Sequence, residues 1–136
     1  LSLAAREADI VGLNANLAAG VIDQRAGASA TVEATDKKLG WIRDAAGDRF
    51  EDIELQTRVH MSQITDDPIG LAELMAPALG LDAEAALASP HVLAGSTGHC
   101  VETLLAWRER WGLTYIGLNE DSMVEFGPVV EALSGV

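Results

Sequence analysis

Three strand-like segments are set far apart in this chain, and that spacing constrains the fold more than any other feature. Asp9-Ile10-Val11-Gly12-Leu13-Asn14 is a short apolar run of the kind that is buried on both faces. Residues 53–60 alternate: Ile53, Leu55, Thr57 and Val59 point one way, and Glu54, Gln56, Arg58 and His60 the other. Thr114-Tyr115-Ile116-Gly117-Leu118-Asn119 is the third. No hairpin-length turn joins one to the next. Strands separated by helical segments imply a parallel sheet with right-handed crossovers, so the expected class is α/β. Taken alone, residues 53–60 fit most simply an antiparallel strand with one wet face. A barrel strand with polar groups near the mouth is the other reading.

The intervening stretches carry helix signals. Residues 1–8 are amphipathic, and residues 15–30 are small, irregular and broken by Gly20 and Gly27, hence a long loop. Ser29 or Thr31 can cap a helix reaching residue 46, with Val32, Thr35, Leu39 and Ile42 on one face and Gly47 as its stop. Asp66-Asp67-Pro68 starts a helix that ends at Gly80, and Asp82 caps a short one closed by Ser89-Pro90. Residues 91–94 read as a connector. Gly95-Ser96-Thr97-Gly98 leads into a helix over residues 99–111, with Val101, Leu104, Leu105 and Arg108 along one side and Gly112 at its end. A closing helix over residues 124–133 is interrupted near Gly127-Pro128. The runs Ile10-Val11-Gly12-Leu13-Asn14 and Tyr115-Ile116-Gly117-Leu118-Asn119 echo each other. Each places an amide at a strand's carboxyl end, where α/β sheets hold ligands.

Composition narrows the function. A chain of 136 residues, 49% hydrophobic and 22% charged, is expected to form one domain over residues 1–136 with a real core. A net charge of −12 makes nucleic acid a poor partner. No stretch approaches the ~18 apolar residues of a membrane span. One cysteine, Cys100, allows no internal disulfide, and no basic segment of a signal peptide precedes the apolar residues. Both point to a cytoplasmic setting. The first residues already read as a helix in mid-course with no N-cap before it, as expected of a shortened chain or a piece of a longer protein.

Leu3-Ala4-Ala5-Arg6-Glu7-Ala8-Asp9 followed by Ile10-Val11-Gly12-Leu13-Asn14 resembles a segment of the luciferase-like monooxygenase superfamily, in its deazaflavin-dependent branch. Three further runs are similar to that family's C-terminal end: Val92-Leu93-Ala94-Gly95-Ser96, Trp111-Gly112-Leu113-Thr114-Tyr115-Ile116 and Glu125-Phe126-Gly127-Pro128-Val129-Val130. The resemblance implies a partial (β/α)8 TIM barrel, about its last three strands, since a whole barrel takes ~250 residues. The family's Gly-Gly turn, just upstream of the matching helix, has no counterpart here. The resemblance also implies an oxidoreductase whose deazaflavin coenzyme, or alternatively FMN, transfers hydride to or from a small-molecule substrate. This chain by itself is then expected to be inactive. A three-stranded slice leaves two sheet edges exposed, so self-association into a homo-oligomer, or pairing with another chain, is expected. The competing reading is a non-catalytic α/β module that associates through those edges.

Candidate site residues follow from both lines of argument. The resemblance places the cofactor's phosphate near Asn14-Ala15-Asn16, where backbone N–H groups can cradle an anion; an ordinary Asx turn is the alternative. Arg58 and His60 can line a barrel mouth, Arg58 meeting an anion and His60 acting near neutral pH, or Arg58 can pair with Glu54 or Glu51. Gly95-Ser96-Thr97-Gly98 lacks the phosphate-loop pattern and reads better as a helix cap. His91, His99 and Cys100 lack metal-ligand spacing, so no metal is expected, and no orienting base marks Cys100 as a nucleophile. Trp41, Trp107 and Trp111 read as packing anchors. Asp66-Asp67 read as capping residues and Glu120-Asp121 as a solvated loop.

Overall fold

The computed structural model describes residues 1–18 and 23–136. In chain order the first half runs α1 (Ser2–Glu7), β1 (Ile10–Gly12), α2 (Gln24–Ala28), α3 (Val32–Ala46), a tight turn of helix at Gly47–Asp52, β2 (Glu54–Arg58) and β3 (Met61–Ile64). The second half runs α4 (Pro68–Leu79), α5 (Ala83–Ala88), β4 (Val92–Gly95), α6 (Thr97–Trp111), β5 (Leu113–Gly117) and α7 (Gly127–Leu133). The architecture is mixed α/β with every strand pair parallel. One sheet has the order β1-β2-β5 and the other pairs β3 with β4; neither closes into a barrel.

Local chemistry sets the helix boundaries. Thr31 Oγ1 accepts from the Ala34 N–H at 3.2 Å, and α3 stops at Gly47, whose φ is +56°. Asp67 accepts from Gly70 N–H at 2.9 Å, Asp82 from Ala85 N–H at 2.7 Å and Ser96 from His99 N–H at 3.2 Å. These bonds satisfy helix N-terminal donors that would otherwise be orphaned. Gly80 and Gly112 end α4 and α6 in the left-handed region, which a residue lacking Cβ enters without strain.

The core lies on one side of the three-stranded sheet. Val11 and Leu13, Leu55 and Val59, and Leu113 point into it, against Ala5 of α1, Leu39 and Ile42 of α3, Trp107 and Trp111 of α6, and Val129 of α7. The opposite face carries Ile10, Gly12, Glu54, Gln56, Arg58, Tyr115 and Gly117. It is open: Ile10 is 49% and Tyr115 48% exposed. Parallel sheets are ordinarily covered on both faces, so this face is exceptional.

Several expectations are corrected. Residues 53–60 are the centre of a parallel sheet, not an antiparallel strand; the alternation reflects one helix-covered and one open face. Residues 91–94 are no connector, since Val92–Gly95 forms β4 beside β3. The loop over residues 15–30 contains α2, whose N-cap Asp23 accepts from Arg25 and Ala26 N–H groups; Gly20 lies outside the described residues. α6 buries Cys100, Trp107 and Trp111, while Leu105 and Arg108 of the expected face are exposed. Trp41 is no anchor: it is 48% exposed, with the Lys37 ammonium 5.6 Å from its ring.

Candidate functional site

The carboxyl ends of β1, β2 and β5 lie side by side, and their polar residues meet on the open face. Gln56 of the central strand is flanked by glycines. A Cβ on Gly12 would come within 2.9 Å of Gln56 Oε1 and 2.8 Å of Asn14 Nδ2, and one on Gly117 within 3.3 Å of Gln56 Nε2. The repeated Gly-Leu-Asn thus has a physical reason: both edge strands make room for one amide side chain. Beyond it, Arg58 Nη2 donates to Asn119 Oδ1 at 2.7 Å, and Asn119 Nδ2 donates to the His60 carbonyl at 3.0 Å. The expected pairing of Arg58 with Glu54 or Glu51 does not form; Glu54 instead accepts from the Thr114 hydroxyl at 3.4 Å. Among the described residues the ion pairs are Arg25–Asp23, Arg49–Asp9 and Arg110–Asp36, so Arg58 has no carboxylate partner.

The turn after β1 is held by hydrogen bonds. Asn16 N–H donates to Ser29 Oγ at 2.6 Å, and Asn16 Oδ1 accepts from Ala18 N–H at 3.0 Å, an Asx-type turn. The Asn14 carbonyl accepts from Lys38 Nζ at 2.8 Å, and the same ammonium reaches the Ser29 carbonyl at 2.6 Å. Burial lowers the Lys38 pKa. Lys38 escaped the sequence reading because a lysine on an amphipathic helix looks like solvated surface; only tertiary contact turns it into a clasp.

His60 does not accompany Arg58. Its ring leans against His91, with centroids 5.6 Å apart and planes at 43°. His91 is 3% exposed. Its Nδ1 lies 2.8 Å from the Arg58 carbonyl and 3.3 Å from Thr57 Oγ1. Burial, reinforced by the nearby Lys38 and His60, pushes its pKa down to about 4 against the opposing pull of the Arg58 carbonyl. Burial and then the Arg58 charge lower the His60 pKa as well. Among the described residues, neither Nε2 has a hydrogen-bond partner, although both are buried. The two rings border a cleft of about 370 Å³ between β3–β4 and helices α2 and α4, lined otherwise by Ser89 and by apolar side chains, Ala15 of the β1 turn among them.

The remaining candidates are structural. Ser96 caps α6, as the capping reading required. His99 is exposed, whereas Cys100 is buried; burial and then Glu125 raise its thiol pKa, away from a reactive thiolate. Trp107 and Trp111 pack with centroids 6.5 Å apart. No group of three or more His, Cys, Asp or Glu side chains able to hold a metal ion occurs among the described residues, and no described helix is long and apolar enough to cross a membrane. Comparison with protein-family models, with curated proteins and with solved structures finds no match to this chain.

Proposed function

We propose that this chain is the C-terminal part of a cytoplasmic luciferase-like oxidoreductase, holding part of the site for a deazaflavin coenzyme or, alternatively, FMN. The observation that carries this reading is Arg58: a guanidinium without a carboxylate, at the carboxyl end of the central parallel strand, in a chain of net charge −12. Asn14, Gln56 and Asn119 surround it with amide groups on the open face. These residues fit the phosphate and hydroxyl groups of such a coenzyme, because a planar fork of donors suits an oxyanion. The strand order supports the partial TIM barrel. β1 and β2 are consecutive parallel neighbours with helices packed on one face, as in a slice of a barrel whose inner face is open, although β3 and β4 pair in a sheet of their own between β2 and β5 in the chain. When bound, the coenzyme would supply hydride transfer to or from a small-molecule substrate. Arg58 would neutralise its phosphate, and the amides would orient it. None of Asn14, Gln56, Arg58 and Asn119 is an acid or base for the reaction, and Glu54 and Tyr115 on the same face are assigned no role in it; the reading is of an isolated chain that binds without turning over.

A fluorescence titration with each coenzyme tests the proposal. Saturable binding of one of them, weakened roughly tenfold or more by Arg58→Ala, is the expected result. No saturation by either up to high micromolar concentration would overturn it. The uncovered sheet face, with Ile10 and Tyr115 exposed, favours a second reading: an α/β module that forms homo-oligomers. Tight oligomers with no coenzyme affinity would select that one.

A further inference from the structure

The cleft beside His60 and His91 is a place apart from the Arg58 cluster. None of Gln56, Arg58 or Asn119 lines it; its walls come from α2, α4, β3 and β4. Ala15, Leu17, Met61, Leu74, Met75 and Val92 make those walls apolar, and no Asp, Glu, Lys or Arg is among the lining residues. Ser89 is spent: its hydroxyl donates to the Ala30 carbonyl at 2.6 Å and accepts from His91 N–H at 3.2 Å. Among the side-chain polar atoms of the lining residues, the two imidazole Nε2 atoms are the ones without a partner.

Geometry settles what His91 offers. A carbonyl oxygen only accepts, so Nδ1, 2.8 Å from the Arg58 carbonyl, carries the proton. Thr57 gives its own hydroxyl proton to the Pro90 carbonyl at 3.2 Å and so can only accept from that same N–H. His91 Nε2 is therefore a bare lone pair on a side chain 3% exposed, without a partner among the described residues. Buried acceptors are almost always satisfied, and an exception calls for an explanation. A volume of about 370 Å³ falls in the range of small-molecule pockets, near its lower end. The two methionines can adapt their thioether chains to a flat ring.

We propose that this cleft binds a small, uncharged, largely apolar molecule carrying one hydroxyl or N–H donor, which donates to His91 Nε2. The apolar walls select the body of the ligand, the absence of charged lining residues disfavours ions, and the bare nitrogen selects the donor. His60, on the adjoining ring, also lines the cleft, and its Nε2 is likewise without a partner among the described residues. The proposal does not rest on the oxidoreductase reading.

Naphthol and its methyl ether make the test, since they share a ring system and differ in the donor. Calorimetric titration of the full chain should show naphthol saturating, roughly tenfold tighter than methoxynaphthalene. Nitrogen NMR of the histidine side chains should show one unprotonated ring nitrogen shifting upfield with naphthol and not with the ether. His91→Phe should erase the preference. If that variant fails to fold, the NMR shift on the unaltered chain still decides. Equal affinities for the two probes, no saturation by naphthol, or binding without the nitrogen shift would each overturn the proposal.

Discussion

A neutral imidazole sealed inside an acidic protein couples this fold to pH. In the unfolded chain His91 takes up a proton near its ordinary value of 6.5, whereas in the folded chain its pKa is down to about 4. Between those values the unfolded state binds more protons, so stability falls as pH falls from about 6.5 toward 4. The gap corresponds to about 3 kcal/mol at full development. Urea denaturation midpoints at pH 7 and pH 4.5 should therefore separate for the native chain, and His91→Phe should narrow the separation. An unchanged separation would mean the acid sensitivity comes from elsewhere. A second residue with a sharp demand is Gly27 of α2. A Cβ there would collide with the backbone carbonyl of Leu79 at the end of α4, and backbone cannot step aside as a flexible side chain can. Gly27→Ala should cost about 1–3 kcal/mol through overpacking, despite the better helix propensity of alanine. A lowered denaturation midpoint with an unchanged slope would show it. An equal or raised midpoint would mean that α2 and α4 are not in contact there.

Between elements, the clearest polar tie joins α3 to α6. Trp111 Nε1 donates to Asp36 Oδ1 at 2.7 Å, and Arg110 Nη2 reaches Asp36 Oδ2 at 2.8 Å. The two bonds are unequal in consequence. Arg110 is half exposed and solvent screens its pair, while Trp111 is 3% exposed and has nowhere else to send its N–H. Asp36→Ala should therefore lower stability by about 1–3 kcal/mol, the cost of an orphaned buried donor. Asp36→Asn, which keeps an acceptor, should cost much less. Similar losses in a chemical denaturation series would put the weight on the ion pair instead. Element chemistry of this local kind was legible from sequence: Thr31, Asp67, Asp82 and Ser96 as caps, Gly47, Gly80 and Gly112 as stops. Each depends on residues within a turn of itself. What was illegible depends on distant partners. Met61-Ser62-Gln63-Ile64 and Val92-Leu93-Ala94-Gly95 become strands only because they find each other, and neither is long enough to show a period. The face of α6 was legible in part: Val101 and Leu104 pack against the core as expected and Trp107 and Trp111 anchor it, whereas Leu105 and Arg108 are turned out and Cys100 is buried instead. At the site, Arg58 and the strand-end amides were visible as polar positions. The His60–His91 contact and the Lys38 clasp were not, since residues 31 and 24 positions apart meet only in the fold.

At the scale of the whole molecule, the unusual feature is a parallel sheet with helices on one side and solvent on the other. β1 and β5 are its edges, and each carries an exposed apolar side chain on the open face, Ile10 and Tyr115. Unpaired edge groups and uncovered apolar surface both favour association. A charge of −12 opposes it, because like-charged copies repel. The two tendencies differ in their response to salt. Screening shortens the reach of repulsion from about 30 Å at 0.01 M to about 8 Å at 0.15 M, while leaving apolar burial in place. Self-association should therefore strengthen as salt rises, the reverse of an assembly held by ion pairs. Sedimentation equilibrium at both ionic strengths should show average mass rising with salt. Tyr115→Lys, which adds a charge at an edge without touching the core, should return the chain to monomer at either strength. A chain that stays monomeric throughout would mean that the open face is tolerated by itself. Association that weakens with salt would place the contact on the charged helical side rather than on the sheet.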